Sequence, residues 1–216
     1  MGLSICEIFH SLQGESTHAG RPCVFVRLSQ CNLNCCWCDT QYARTDEEGM
    51  FMELDTILEK VAAFDCNLVE ITGGEPLLQD QTPELISRLL QAGYEVLLET
   101  NGSQDIQPVD PACTRILDIK CPGSGEGDSF LWSNLDILGP GDEIKFVVGS
   151  REDYEFARTV ITRKLDRISG KKIHLSPVFG NITPQTLAQW IIQDNLKARL
   201  SLQQHKLIWH PDQRGV

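Results

Sequence analysis

The sequence is poor in positive charge. Lys and Arg total 19 against 30 Asp and Glu, which gives a formal net charge of −11. Phosphate backbones and anionic lipid surfaces attract proteins with basic patches, so this excess of negative charge disfavours both kinds of partner. We therefore expect neither a nucleic acid nor a membrane surface to bind this chain.

Long apolar runs are missing as well. No stretch approaches the ~18 consecutive apolar residues that a membrane-spanning helix needs. The segment Met1–Glu7 lacks the charged region followed by an apolar one that marks a secretory signal. Internal repeats and Pro/Ser-rich linkers are absent too, and 216 residues suffice for one good-sized domain. We expect a cytoplasmic protein with a single domain spanning residues 1–216.

Short apolar runs are present, and each is typical of a strand covered on both faces. They are Val24–Leu28, Leu68–Thr72, Tyr94–Leu98, Arg115–Ile119, Ile144–Val148 and a run around Ile173. Apolar residues at helical spacing lie between several of them, and this alternation predicts an α/β fold with a parallel sheet. A closed eight-unit barrel usually takes about 250 residues, so we predict an incomplete, open parallel β/α barrel of about six strands with reduced helix content.

Nine cysteines stand out in a chain without a sign of export. Four of them lie between Cys31 and Cys38, and in a reducing compartment such crowding indicates metal binding rather than disulfides. Cys31, Cys35 and Cys38 form a C-x3-C-x2-C motif, which can bind three irons of a [4Fe–4S] cluster and leave the fourth iron open. We interpret the other cysteines, including Cys36 inside the motif, as buried or incidental thiols.

A structural zinc site is the alternative interpretation of the cysteine motif. Zinc sites usually take two separated pairs of ligands, and the sequence holds neither a second C-x2-C nor an H-x3-H pair. We therefore favour the cluster.

The cysteine motif resembles the signature of the radical S-adenosylmethionine (SAM) enzymes. Trp37 supplies the aromatic residue of their C-x3-C-x-aromatic-C pattern, and the following strand ends in a Gly-Gly-Glu-Pro motif at Gly73–Pro76. The resemblance implies that SAM binds the open iron and is cleaved, after one-electron reduction, to a 5′-deoxyadenosyl radical. It also implies that the backbone of the Gly-Gly-Glu-Pro motif binds the methionine part of SAM, since glycines let the main chain approach a ligand closely.

Polar residues at the following strand ends suit the ribose and the carboxylate of SAM. Active sites of β/α folds gather at the C-terminal ends of the strands, where these residues are expected. The residues expected to bind SAM are Trp37, Cys38, Asp39, Gly73, Gly74, Glu75, Glu99, Thr100, Asn101, Asp118, Lys120, Ser176, Pro177, Val178 and Phe179. Within this set, Ser176–Phe179 is the candidate for the adenine contacts.

The segment Phe9–Ser16 narrows the resemblance to one family. It is similar to the Ser-Leu-Gln-Gly-Glu-Gly segment of 7-carboxy-7-deazaguanine synthases, with Ser16 in place of the usual glycine. Further matches are Arg27, Asp39, Thr40 and the end of the chain. The resemblance implies conversion of 6-carboxy-5,6,7,8-tetrahydropterin to 7-carboxy-7-deazaguanine, a ring contraction with loss of ammonia in queuosine biosynthesis. The radical would abstract hydrogen from C6 of the pterin and later recover it, without a protein side chain as acid or base.

A flat, anionic pterin makes two demands on its site. Its pyrimidine edge needs hydrogen-bond donors and acceptors, which Gln13 and the backbone of residues 12–14 can offer, while Glu15 can order that loop. Its carboxylate needs a cation, which Arg27 can supply as a bidentate fork. By resemblance, the expected substrate residues are Leu12, Gln13, Gly14, Glu15, Arg27, Thr72, His205 and the carboxylate of Val216.

Mg²⁺ is the third cofactor that the resemblance implies, bound to the hydroxyl of Thr40 and to substrate. Few protein ligands and several waters are what Mg²⁺ prefers. A homodimer and an external one-electron donor such as flavodoxin follow from the same resemblance.

Two other functions compete with this prediction. Glycyl-radical enzyme activases share the cluster motif and a Gly-Gly-Glu-Pro-like turn, but they act on a large protein, and Leu12–Glu15 and Arg27 disfavour them. A non-catalytic iron–sulfur carrier or a zinc-bound adaptor is disfavoured by three cysteines instead of four and by the polar strand ends.

Overall fold

The computed structural model describes residues 1–216, with the exception of the side chain of Lys171. Within this described part, nine strands form one sheet: β1 Gly2–Leu12, β2 Pro22–Leu28, β3 Met50–Glu53, β4 Leu68–Gly73, β5 Glu95–Thr100, β6 Thr114–Asp118, β7 Glu143–Val148, β8 Ile173–Pro177 and β9 Arg199–Leu200. The α-helices of the same residues are α1 Leu54–Ala62, α2 Thr82–Gln91, α3 Arg151–Lys164, α4 Pro184–Gln193 and α5 His205–Ile208.

The strand order is β3-β1-β2-β4-β5-β6-β7-β8-β9. Strands β2 and β4 to β9 run parallel, whereas β1 is antiparallel to both β2 and β3. The short strands β3 and β9 form the two edges of the sheet, which is not closed. The prediction of an open parallel β/α barrel is therefore confirmed, and β2 and β4 to β8 are its six predicted strands.

Strand β1 is an addition to the predicted fold. It contains Phe9–Leu12, which lie ahead of Val24–Leu28, the first run that predicts a strand. Buried Leu3 and Ile5 alternate with the partly exposed Gly2, Ser4 and Cys6, as in a strand with one face towards the core, so a search for continuous apolar runs misses it.

The helices α1 to α4 occupy the segments that have helical spacing. Ser150 accepts a hydrogen bond from the backbone N–H of Asp153 at the start of α3, and Thr183 caps α4 in the same way. No helix in the part of the chain described above has the length and apolar character needed to cross a bilayer.

The two faces of the parallel strands differ in chemistry because successive side chains alternate between them. Apolar clusters that include Val24, Val69 and Val96 lie on the face that packs against the helices. On the inner face, a small apolar cluster comprises Cys23, Phe25, Leu68, Leu97 and Ile116. Towards the C-terminal ends of the strands, the inner face becomes polar and charged.

Candidate active site

A cavity of about 570 Å³ opens at the C-terminal ends of the parallel strands. Its wall combines the loop that follows β2, the ends of β4 to β7, the end of β1 and residues of the segment 203–216. This is the edge at which the sequence analysis expects the site.

The three motif cysteines all line this cavity. Backbone hydrogen bonds hold their loop, from Cys31 N–H to the Arg44 carbonyl at 3.0 Å and from Cys38 N–H to the Cys35 carbonyl at 3.2 Å. Burial raises the pKa of Cys35 to about 11, so a metal cation would be needed to favour the thiolate. Cys36 is exposed and is not among the lining residues.

The cysteine loop carries the three ligands that the motif predicts for a [4Fe–4S] cluster. Among the described residues, no group of three or more His, Cys, Asp or Glu side chains is placed to hold one metal ion. A zinc ion needs its ligands around one point, whereas the thiolates of a [4Fe–4S] cluster bind separate irons and lie further apart.

Gly73 and Gly74 let the end of β4 lie directly against the cluster loop. Gly73 has a φ of +135°, and a Cβ there would meet the Leu28 carbonyl oxygen at 2.2 Å. A Cβ on Gly74 would meet the Gln30 carbonyl oxygen at 2.0 Å. Both glycines line the cavity, so their lack of a side chain shapes the wall next to the cysteines.

Three of the residues expected to bind SAM, Glu75, Ser176 and Pro177, are not among the described residues that line the cavity. The Glu75 carboxylate is fully buried and accepts hydrogen bonds from the Thr100 hydroxyl at 2.8 Å and the Asn101 N–H at 2.7 Å. The side chain therefore ties β4 to β5, whereas the contact with SAM that is predicted for this motif involves its backbone. Ser176 is fully buried on the inner face, and Pro177 closes β8.

Asp118 and Lys120 meet the cavity where SAM is expected. Lys120 Nζ contacts Asp118 Oδ2 at 2.8 Å, while the buried Oδ1 of Asp118 has no hydrogen-bond partner among the described residues. An unpaired buried acceptor is costly, so a donor from a ligand, such as a ribose hydroxyl, would satisfy it. The arrangement fits the predicted cofactor.

A layer of buried charge forms the floor of the cavity. Lys145 Nζ lies 2.8 Å from a carboxylate oxygen of Glu15 and 2.8 Å from one of Glu99. Burial alone would raise the pKa of Glu15, but the charge and hydrogen bond of Lys145 hold it below its ordinary value. Lys145 therefore keeps this carboxylate ionised.

Gln13 uses its side chain within the protein. Its Nε2 donates to the Glu70 carboxylate, and its Oε1 accepts from the Glu15 N–H at 2.6 Å. Burial, and then the neighbouring Glu99, raise the pKa of Glu70 well above its ordinary value. The Gln13 side-chain amide thus orders the floor. Its backbone is paired as well, since the Gln13 N–H donates to the Arg21 carbonyl and the Gln13 carbonyl accepts from the Gly20 N–H, both at 2.8 Å.

Arg27 offers one edge of its guanidinium to the cavity. Its Nε donates to Glu7 Oε1 at 2.7 Å, and its planar group lies over the Phe9 ring, 5.7 Å from the centroid. The two terminal amino groups have no partner among the described residues, and Arg27 lines the cavity. The two free terminal amino groups, which form a fork, can donate to the two oxygens of a carboxylate.

Thr40 and Asp39 form an oxygen-rich corner of the wall. The Thr40 hydroxyl donates to Asp39 Oδ1 at 2.9 Å, and Lys206 Nζ contacts Asp39 Oδ2 at 2.6 Å. Because Lys206 already balances this carboxylate, Mg²⁺ would find one neutral oxygen here and take its other ligands from water and substrate. That is a ligand set that Mg²⁺ accepts.

The end of the chain packs across the cavity. Gln204 N–H donates to the Gly14 carbonyl at 3.1 Å, and Gln203 Nε2 donates to Glu15 Oε1 at 3.0 Å. Burial lowers the pKa of His205. The expected substrate residues Leu12, Gln13, Gly14, Glu15, Arg27, Thr72, His205 and Val216 all line the cavity.

The structure also adds residues to the wall. Among the additions are Tyr42, Glu70, Lys145, Lys206 and Arg214. Glu70 and Lys145 interrupt apolar strands, which is the same signal that singles out Arg27 in the sequence. The other three lie outside the parallel strands. Lys206 and Arg214 belong to the end of the chain that matches the family in sequence, whereas Tyr42 has no such signal.

Comparison with known proteins identifies the family. Residues 26–120 match the Radical SAM superfamily model. The 7-carboxy-7-deazaguanine synthases of Koribacter versatilis and Chlorobaculum tepidum are 45% and 46% identical to this chain, over 99% of it and over 100% and 97% of their own lengths. The crystal structure of QueE from Escherichia coli matches with a TM-score of 0.77 and 25% identity, over 94% of both chains. The chain therefore belongs to the 7-carboxy-7-deazaguanine synthase family of the radical SAM superfamily.

Proposed function

We propose that this protein is a radical SAM enzyme that converts 6-carboxy-5,6,7,8-tetrahydropterin to 7-carboxy-7-deazaguanine and ammonia. The reaction is a lyase step of queuosine biosynthesis without net oxidation. The observation that carries the proposal is one cavity in which the three motif cysteines and the free fork of Arg27 face the same space. Family membership supports the same reaction and disfavours glycyl-radical enzyme activation.

The cofactor side of the cavity fits a [4Fe–4S] cluster and SAM. Cys31, Cys35 and Cys38 would hold the cluster, and Asp118 and Lys120 would meet the polar groups of SAM. When bound, these groups supply a 5′-deoxyadenosyl radical. The protein contributes the cysteine loop, the glycine-lined wall and the polar side chains that position the ligands.

The substrate side would orient the pterin by its two ends. The carboxylate would bind Arg27, and the pyrimidine edge would meet the segment of residues 12–14 that lines the cavity, which Gln13 and Glu15 hold in place. Thr40 would bind Mg²⁺ together with water and the substrate carboxylate. The cation and Arg27 would then stabilise the carboxylate electrostatically during the rearrangement.

The remaining proposals concern the setting of the enzyme. Exposed apolar side chains at Ile192, Leu207 and Ile208 support a homodimer. All nine cysteines are free, which supports a reducing, cytoplasmic setting. Family resemblance supports an external one-electron donor such as flavodoxin. The single nine-stranded sheet supports one radical SAM domain over residues 1–216.

An anaerobic assay tests the function. The cluster is reconstituted, reductant, SAM, Mg²⁺ and 6-carboxy-5,6,7,8-tetrahydropterin are added, and mass spectrometry measures 7-carboxy-7-deazaguanine and 5′-deoxyadenosine. We expect both products from the unmodified protein and neither from Cys31→Ala. Cys36→Ala is the matched control and should retain both. Formation of 5′-deoxyadenosine without 7-carboxy-7-deazaguanine would contradict the proposed substrate.

A further inference from the structure

Tyr42 occupies a junction between three parts of the cavity wall. It lies in the 3-10 turn Gln41–Ala43, directly after the cluster loop. Its hydroxyl donates to Glu7 Oε1 at 2.6 Å. That same oxygen accepts from Arg27 Nε at 2.7 Å, so one carboxylate oxygen of Glu7 joins the tyrosine to the arginine.

The opposite side of the junction involves the segment 211–216. The guanidinium of Arg214 stacks on the Tyr42 ring, 3.4 Å from its centroid. Arg214 Nη1 also donates to Glu48 Oε2 at 2.8 Å. Arg214 is thus held by the face of its planar group and by one amino group, and its neighbours Gly215 and Val216 line the cavity.

These contacts constrain Arg27 more than a single ion pair would. An arginine can rotate about a lone contact at Nε, but the Tyr42 hydroxyl fixes the Glu7 oxygen that receives Nε, and the Phe9 ring supports the guanidinium plane. A bidentate fork binds a carboxylate well only when both terminal amino groups are aimed at it. The aim of Arg27 therefore depends on the Tyr42 hydroxyl.

We propose that Tyr42 is a positioning residue that aims Arg27 at the carboxylate of the substrate and couples this aim to the packing of the segment 211–216 through Arg214. The inference rests on the proposed function, because it takes the ligand of Arg27 to be the carboxylate of a pterin. Selectivity for a carboxylated pterin then depends on a series of contacts that runs from Arg214 through Tyr42 and Glu7 to Arg27.

The test measures selectivity for the carboxylate, which a merely structural role would not change. The reconstituted enzyme with SAM is titrated with 6-carboxypterin and with unsubstituted pterin, and the ratio of the two dissociation constants is compared among variants. Tyr42→Phe keeps the ring under Arg214 but removes the hydroxyl, and it should lower the selectivity about 10-fold. Tyr94→Phe is the matched control. Tyr94 is partly buried and directly precedes β5, at the end of the strand away from the cavity, so its substitution should leave the selectivity unchanged.

Arg214 tests the coupling. Arg214→Ala should lower the selectivity about 3-fold, because it removes the stacking on the Tyr42 ring. The loss should be smaller when Tyr42→Phe is already present, since the two residues act through one path. Additive losses would contradict the coupling.

The outcome for Arg27→Ala separates this inference from the proposed function. If Arg27→Ala lowers the selectivity and Tyr42→Phe does not, the positioning role is overturned and the proposed function stands. If Arg27→Ala leaves the selectivity unchanged, the assigned ligand of Arg27 is wrong, and the inference falls with it. Visible absorbance of the cluster in each variant verifies that the protein is folded.

Discussion

The cavity has two halves that are built by different forces. The cofactor half, defined by Cys31–Cys38 and the Gly73-Gly74 pair, is held by backbone hydrogen bonds and by backbone packed against backbone. The substrate half, defined by residues 12–15, Arg27 and Lys145, is held by ionised side chains. The first half leaves no space for an added Cβ, and the second cannot lose a charge without leaving another one unpaired.

The two halves also differ in how far along the chain their partners lie. The cysteines span a few residues, and the glycine pair follows on the next parallel strand. In the substrate half, Gln203 reaches Glu15 across a separation of 188 residues. The cluster ligands are thus sequence neighbours, although the Cys36 N–H also donates to the distant Ser124 carbonyl, whereas the substrate half gathers its side chains from the whole chain. The following variants test this division.

Lys145→Met should give the largest loss. It leaves the partly buried carboxylates of Glu15 and Glu99 without the buried cation that they share, and removing one partner of a buried ion pair costs about 3–5 kcal/mol. The free energy of unfolding, measured by urea titration, should fall by this amount. Lys172→Met removes a more exposed lysine, and its loss should stay below about 1 kcal/mol. Equal losses in the two variants would contradict the charged floor.

Gly73→Ala should damage the cofactor half by steric means alone. Positive φ and the 2.2 Å contact with the Leu28 carbonyl oxygen would force the strand end away from the cysteine loop. We expect a loss of about 3 kcal/mol in stability and a lower iron content after reconstitution. Gly93→Ala shares the positive φ but has no neighbour within 4 Å of the added Cβ, so it serves as the control and should retain its iron. Full iron content in Gly73→Ala would contradict the steric argument.

Lowering the pH should reduce the free energy of unfolding through protonation of Glu143, which lies below the substrate half. Burial raises the pKa of Glu143, but hydrogen bonds from His174 and Thr17 bring it down to about 2, from an ordinary value of 4.5. Its stabilising effect is therefore complete above pH 4.5 and is lost as the pH falls towards 2.

Glu143→Gln tests this pH dependence. The free energy of unfolding is measured by urea titration at about pH 6 and about pH 4. Its decrease between these two pH values should be smaller in the variant than in the unmodified protein. Glu53→Gln, at an exposed position, should follow the unmodified protein. An identical pH dependence in all three proteins would contradict the assignment.

The division into halves also explains what the sequence can predict. The cysteine motif and the glycine pair are local, so their chemistry is readable from a few residues. Six of the seven parallel strands are readable too, because strands covered on both faces are continuously apolar. Charged residues within such strands indicate the site, and Arg27, Glu70 and Lys145 are all residues of this kind.

The rest depends on contacts that no short segment contains. The role of Gln13 follows from Glu70, which is 57 residues away and takes up the Gln13 amide. Glu75 belongs to a motif associated with SAM, yet its carboxylate ties two strands together. Tyr42 and Arg214 become neighbours only when the end of the chain packs over the cluster loop. Such pairings are products of the tertiary fold.

The independence of the two halves is tested most directly with Arg27→Ala. The variant is reconstituted, and 5′-deoxyadenosine formation without substrate is measured beside the affinity for 6-carboxy-5,6,7,8-tetrahydropterin. We predict an intact cluster and unchanged slow cleavage of SAM, together with a large loss of substrate affinity. Unchanged substrate affinity, or loss of the cluster in this variant, would contradict the account.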